Sequence, residues 1–202
     1  MKTLNLFFLM FILSLYIIES EAQIRLGLEA GINVSNVNRN LIPKFEGIYP
    51  YKPIAGFQCG IKLKHQFREK NQISIGIGYA ERGGRDLAIG DPFIGPYINR
   101  SNFVQFPLIY ERECLFKHFR LGLGLINSYE LYSQTSIIND DLSSERKYGI
   151  DVQILTSYNF SPALSVNLDF LYGSLLDHIT FTEDLTHSVL SLSLSYNFKL
   201  RN

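Results

Sequence analysis

Net charge is missing from this sequence: 19 Lys and Arg residues balance 19 Asp and Glu over 202 residues. A chain so balanced has no overall field to draw in nucleic acid or an anionic membrane surface. Cysteine is almost absent. Cys59 sits in an alternating apolar run and Cys114 in a turn, so two unpaired thiols are expected rather than a disulfide, and the spacing suits no zinc site. Trp is absent and Met occurs twice, leaving aromatic character to 12 Tyr and 15 Phe. Beyond residue 22 no apolar run approaches the length of a membrane-spanning helix. P-loop and nucleophile-elbow patterns are lacking. Gly76-Ile-Gly78 and Gly122-Leu-Gly124 lie inside strand-like runs with no helix following, so they are not nucleotide motifs. No internal repeat, linker or low-complexity tail divides the chain, and its length suits one domain.

Residues 1–22 stand apart. Lys2 gives a positive start, Leu4 to Ile18 is nearly unbroken Leu, Phe and Ile, and Ser20 and Ala22 supply small residues where a signal peptidase reads. This predicts a cleaved secretory signal, leaving Gln23 first, with a retained anchor helix as the alternative. No Cys follows the apolar run, which argues against a lipoprotein.

The rest, 23–202, alternates. In the last run Leu190, Leu192, Leu194, Tyr196, Phe198 and Leu200 are interleaved with Ser191, Ser193, Ser195, Asn197 and Lys199. Period two without a break means a strand with one greasy face and one polar face. The same reading predicts strands near 23–34, 54–67, 72–82, 102–111, 118–132, 148–160 and 163–172. Pro107 lies inside the fourth and cannot donate to a ladder, so a bulge is expected there. The phase of the fifth blurs near Ile126. The connections alternate long and short, beginning with the long stretch from Ser35 to Lys52. An even strand number with that alternation predicts an all-β fold, an eight-stranded antiparallel up-and-down transmembrane barrel.

Alternation alone does not separate a membrane barrel from a soluble one with its greasy face inside. Volume does. Eight strands enclose a space just wide enough for side chains to fill, and a face of Leu, Ile, Phe and Tyr is too bulky for it. The other face, mostly Gly, Ser, Ala and Asn with scattered charges, is expected inside. Aromatics agree. Phe67, Tyr110, Phe119, Tyr158, Tyr196 and Phe198 should form a periplasmic girdle, with Phe57, Tyr79, Tyr129, Tyr148, Phe170 and Tyr172 at the outer rim.

Leu26-Gly-Leu-Glu-Ala-Gly-Ile-Asn33, Gly56-Phe57, Ile77-Gly-Tyr-Ala-Glu-Arg-Gly-Gly84, Phe103-Val-Gln-Phe-Pro-Leu-Ile-Tyr110 and Leu192-Ser-Leu-Ser-Tyr-Asn-Phe198 follow one another in an order and spacing that resembles the PorT-type outer-membrane β-barrel proteins of Gram-negative bacteria. The resemblance spans essentially the mature chain and implies an outer-membrane location. One branch of that family is tied to protein secretion and cell-surface export.

The candidate site is a set of inward charges: basic Arg25, Lys62, Lys64, Arg82, Arg120 and Lys199, and acidic Glu29, Glu111, Glu130, Asp151 and Asp169. Charges of mixed sign in a narrow lumen should pair, since an unpaired buried charge leaves its desolvation cost uncompensated. A structural network filling the lumen is expected, not a conduction path. His187-Ser188, with Glu183 and Asp184 nearby, raises a lipid-modifying enzyme, but adjacent strand residues point to opposite faces, so no enzyme and no cofactor are expected. Asn139, Asp140, Asp141 and Glu145 crowd one loop, and His178, Glu183, Asp184 and His187 another. Neither matches a calcium-loop spacing, and no metal is expected. The expected partners are outer-membrane lipid and, through the external loops, other envelope or secretion proteins, with the chain itself a monomer.

Overall fold

The computed structural model describes residues 23–39, 52–67, 70–86, 97–114, 116, 118–135, 148–176 and 185–200. The expected signal segment and the two acidic loop clusters, apart from His187, lie outside them. The described residues form eight strands: β1 (Gln23–Arg39), β2 (Lys52–Phe67), β3 (Asn71–Asp86), β4 (Tyr97–Glu113), β5 (Phe119–Thr135), β6 (Tyr148–Asn159), β7 (Leu164–Leu176) and β8 (Leu185–Lys199). Each pairs antiparallel with its sequence neighbour, and β1 pairs with β8 to close the barrel.

The closure is staggered. Stepping across paired residues from Arg25 leads through Lys64, Ser74, Ile109, Gly124, Gln153, Leu171 and Val189 and returns to β1 at Ser35, ten residues further along. A stagger of that size requires steeply tilted strands. It also places charges that are distant in register at one height in the lumen.

The outward face is aliphatic between two aromatic belts. Ile32, Ile77, Leu123, Ile154 and Leu194 are more than half exposed, a placement that only lipid makes favourable. At the end carrying the short turns, hereafter the turn end, Phe67 packs on Tyr110, Tyr158 on Phe160 and Tyr196 on Phe198, with ring centroids 6.4, 5.1 and 4.8 Å apart. Tyr129, Tyr148 and Tyr172 stand exposed toward the opposite, loop end, whereas Phe170, expected there, pairs with Ile154 within the aliphatic band.

The strands outrun the apolar pattern. Ser35 to Arg39, Gly83 to Asp86 and Tyr97 to Ser101 continue as paired strand, because ladder bonds persist above the greasy band, where side chains no longer need to alternate. No bulge sits at Pro107. It faces Ile126 in regular register on β5, while on the β3 side the pairing skips from Ile75↔Leu108 to Gly78↔Gln105. The missing N–H is absorbed as a local gap. The bulge in β4–β5 comes instead between Asn102 and Phe103, which leaves Leu131 and Tyr132 both exposed.

The phase of β5 does not break at Ile126; its chemistry inverts. Ile126 is buried against Leu171 and Val189, while Asn127 faces outward and accepts a 2.6 Å hydrogen bond from Tyr148 Oη. The lumen is therefore less polar than expected, since Phe103, Ile109, Ile126, Leu155, Leu171 and Val189 all lie buried inside. Cys59 and Cys114 are unpaired and half-buried.

Gly31 sits at the seam. A Cβ there would collide with Leu192 O and Ser193 Cα, and backbone cannot swing aside as a side chain can. Gly31→Val should abolish the folded, heat-modifiable form on gels. Phe198→Asp should impair membrane assembly in fractionation experiments, whereas Ser193→Ala should still assemble.

Candidate functional site

Inward side chains come from alternate positions on all eight strands, and the stagger sorts them into three layers. At the turn end lie Arg25, Lys64, Arg120 and Glu111. Arg120 Nη1 donates to Gln72 Oε1 at 2.7 Å, and Gln72 Nε2 donates to Glu111 Oε1 at 2.9 Å. Ser157 Oγ donates to the second Glu111 oxygen at 3.3 Å. Lys64 Nζ donates to Ser195 Oγ at 3.2 Å. Arg25, half-buried at the rim, reaches Pro162 O at 3.2 Å and Gln23 Oε1 at 2.8 Å.

The middle layer centres on the Lys62–Glu29 ion pair, with Ser193 Oγ donating to Glu29 Oε1 at 2.9 Å. Asp169 accepts from Gln153 Nε2 at 2.8 Å and from Ser191 Oγ at 3.4 Å. A cavity of about 40 Å³ lies between these groups, bounded by Gly60, Gly78 and Ile126. It has room for a few waters (about 10–15 Å³ each).

Toward the loop end, Arg82 Nη1 donates to Asp151 Oδ2 at 2.8 Å. His187 Nε2 lies 2.8 Å from Asp151 Oδ1 and 2.7 Å from Arg82 Nη1. Ser128 Oγ donates to Asp151 Oδ2 at 3.1 Å. The guanidinium also lies over the Phe103 ring, 5.3 Å from its centroid, a favourable contact between a cation and a π face. Asp151 on β6 is wholly buried, and Glu130 on β5 is buried as well. Nearby, Ser35 Oγ accepts from Gly83 N at 2.7 Å, tying β1 to β3 where β2 loses its register with β3 between Pro53 and Gln58.

The structure thus gathers nine of the eleven anticipated charges inside the barrel and puts Arg25 at its mouth. Lys199 departs from the expectation: it is exposed at the end of β8, one step past the last covered inward position. His187 belongs to the network, and its neighbour Ser188 does not. They lie on opposite faces, and His187 is 1% exposed, so the two cannot act as base and nucleophile on one substrate. Its membership was readable from parity, since Val189 and Ser191 face inward on the same strand. Gln72, Gln153 and Ser128 are further network members readable only by that parity, because neutral residues on a polar face carry no sign of their own. Among the described residues no group of three His, Cys, Asp or Glu side chains converges as a metal site.

A family model described as an outer membrane protein beta-barrel domain matches residues 19–179. The chain belongs to that family. Members of this barrel family reside in outer membranes, and the exposed aliphatic wall between aromatic belts fits that location. Among solved structures, this family member is similar to Neisserial surface protein A, at 14% identity and a TM-score of 0.55, covering 89% of this chain and 100% of that one. It is also similar to Ail, the attachment invasion locus protein of Yersinia pestis, solved with the heparin analogue sucrose octasulfate, at 13% identity and a TM-score of 0.53, covering 87% and 99%. At such identities the likeness concerns the fold alone. Among curated proteins, none matches the chain in sequence.

Removing one partner of a buried ion pair strands the other charge, at about 3–5 kcal/mol. Asp151→Ala should therefore lower the unfolding free energy in detergent micelles by about that amount, while Lys199→Gln leaves the denaturant midpoint unchanged.

Proposed function

We propose that the protein is a closed outer-membrane barrel that acts as a scaffold, its lumen filled by the hydrogen-bonded charge network and its surface work done by the loop end. The observation that carries this reading is the middle of the lumen. There the Lys62–Glu29 pair, Gln153, Asp169 and the apolar cluster of Ile126, Leu171 and Val189 meet across the barrel. A conduction path needs a continuous water column at that height, and these side chains narrow it to a cavity with room for a few waters. Surface interaction is the activity left to a barrel that neither conducts nor catalyses. The PorT-type resemblance supports a place in the cell envelope, with partners engaged from outside the lumen, and lipid as the contact of the wall.

A non-enzymatic role rests on the burial of His187, the one histidine held beside a carboxylate and a hydroxyl-bearing strand among the described residues. It is held between Arg82 and Asp151 and has no route to a lipid ester at the wall.

Purified protein reconstituted in a planar bilayer should give no steady single-channel conductance. Discrete, reproducible current steps would overturn the closed-lumen reading. Crosslinking from Tyr97 in intact membranes should capture an envelope protein at the loop end, and crosslinks to lipid alone would argue against a surface-interaction role.

A further inference from the structure

Among the described residues the lumen's charges are divided unevenly along its length. Arg25, Lys64 and Arg120 stand at the turn end against Glu111 and, at the half-buried rim, Glu113, which pairs in register with Arg120. Lys62 and Arg82, further in, face Glu29, Asp169, Asp151 and Glu130. Among the described residues the turn end is therefore positive by one charge and the remainder negative by two. Ion pairs follow the same division. Lys62 and Arg82 each contact a carboxylate, whereas the hydrogen bonds of Arg25, Lys64 and Arg120 go to a carbonyl, a hydroxyl and amide oxygens. Glu111, the buried acid of that layer, is taken up by Gln72 and Ser157.

These three cations line one cavity of about 20 Å³, together with the carboxylate of Glu111 and the neutral donors Asn159, Asn167 and Asn197. Arg120 is 7% exposed and Lys64 8%. Arg120 Nε is buried, with no protein acceptor among the described residues. A guanidinium presents its donors in a planar fork that matches two oxygens of a carboxylate or phosphate. The cavity has room for about two oxygen-sized atoms. Toward the mouth, Arg25 and Asn159 are only half-buried, so the remainder of a small anion can project there.

We propose that the turn end of the lumen is a binding site for a small free oxyanion of the phosphate or carboxylate class, held by Arg120 and Lys64 with Arg25 at the mouth. The anion supplies the negative charge that the protein withholds from this layer. Binding is independent of the surface role of the loop end, because the site opens at the opposite end of the barrel.

The test uses the full chain refolded in maltoside micelles, which carry no anionic group, with folding checked by heat-dependent gel mobility. The NMR signal of Arg120 Nε–H is followed while inorganic phosphate or acetate is added at constant ionic strength. A saturable shift with millimolar affinity is expected. It should weaken about tenfold or more in Lys64→Gln, tighten in Glu111→Gln, and stay unchanged in Glu81→Gln, on the outer face beside Tyr79. If Lys64→Gln does not fold, Arg25→Gln at the half-buried mouth takes its place, with weakening of a few-fold expected. Three results would each overturn the proposal: no saturation by about 50 mM of either anion, chloride saturating the signal equally well, or full affinity in the Lys64 or Arg25 variant.

Discussion

A chain that crosses a bilayer as strands must pair its backbone N–H and C=O groups within itself, because the hydrocarbon offers no water to take them. In this protein the constraint is met by closing β1 on β8 with a ten-residue stagger, and the rest follows from that closure. Closure removes the sheet edges. Eight strands leave an interior that side chains must fill. The tilt then decides which inward side chains share a height, and so which charges meet. Lys62 finds Glu29 on the adjacent strand, but Arg82 reaches Asp151 from β3 to β6, across the lumen.

Much of this was legible in the residues. Period two in β8, repeated along the chain, carries the strand assignment, and small residues opposite bulky ones carry the choice of inward face. The strand ends were not legible, because Ser35 to Arg39 pair with β8 without any apolar alternation to announce them. Nor was the inversion on β5. Ile126 inside and Asn127 outside break the hydrophobic pattern while keeping the geometric one, and only neighbours from other strands explain them: Leu171 and Val189 receive the first, the Tyr148 hydroxyl the second.

The candidate site was legible as a list and not as an arrangement. Parity alone identifies an inward charge, so ten of the eleven charges lie in the lumen or at its mouth. Lys199 keeps the parity but runs out of barrel. Partners depend on stagger, and stagger depends on where β1 meets β8. Ser193 and Glu29, 164 residues apart, are joined by that register. For the same reason the separation of a positive turn end from a negative remainder is not readable from the linear order, where the neighbours Lys62 and Lys64 fall in different layers.

The seam has a kinetic side as well. Every other strand pair joins sequence neighbours through one connection, whereas β1 and β8 are brought together from opposite ends of the described chain. Contacts of such long separation carry the largest loop-closure entropy and reward the chain only once they form. Until then two strand edges remain open, Gly31 has no Ser193 backbone against it, and Glu29 lacks its hydroxyl donor. Closing the seam is thus also the step that completes the interior charge network.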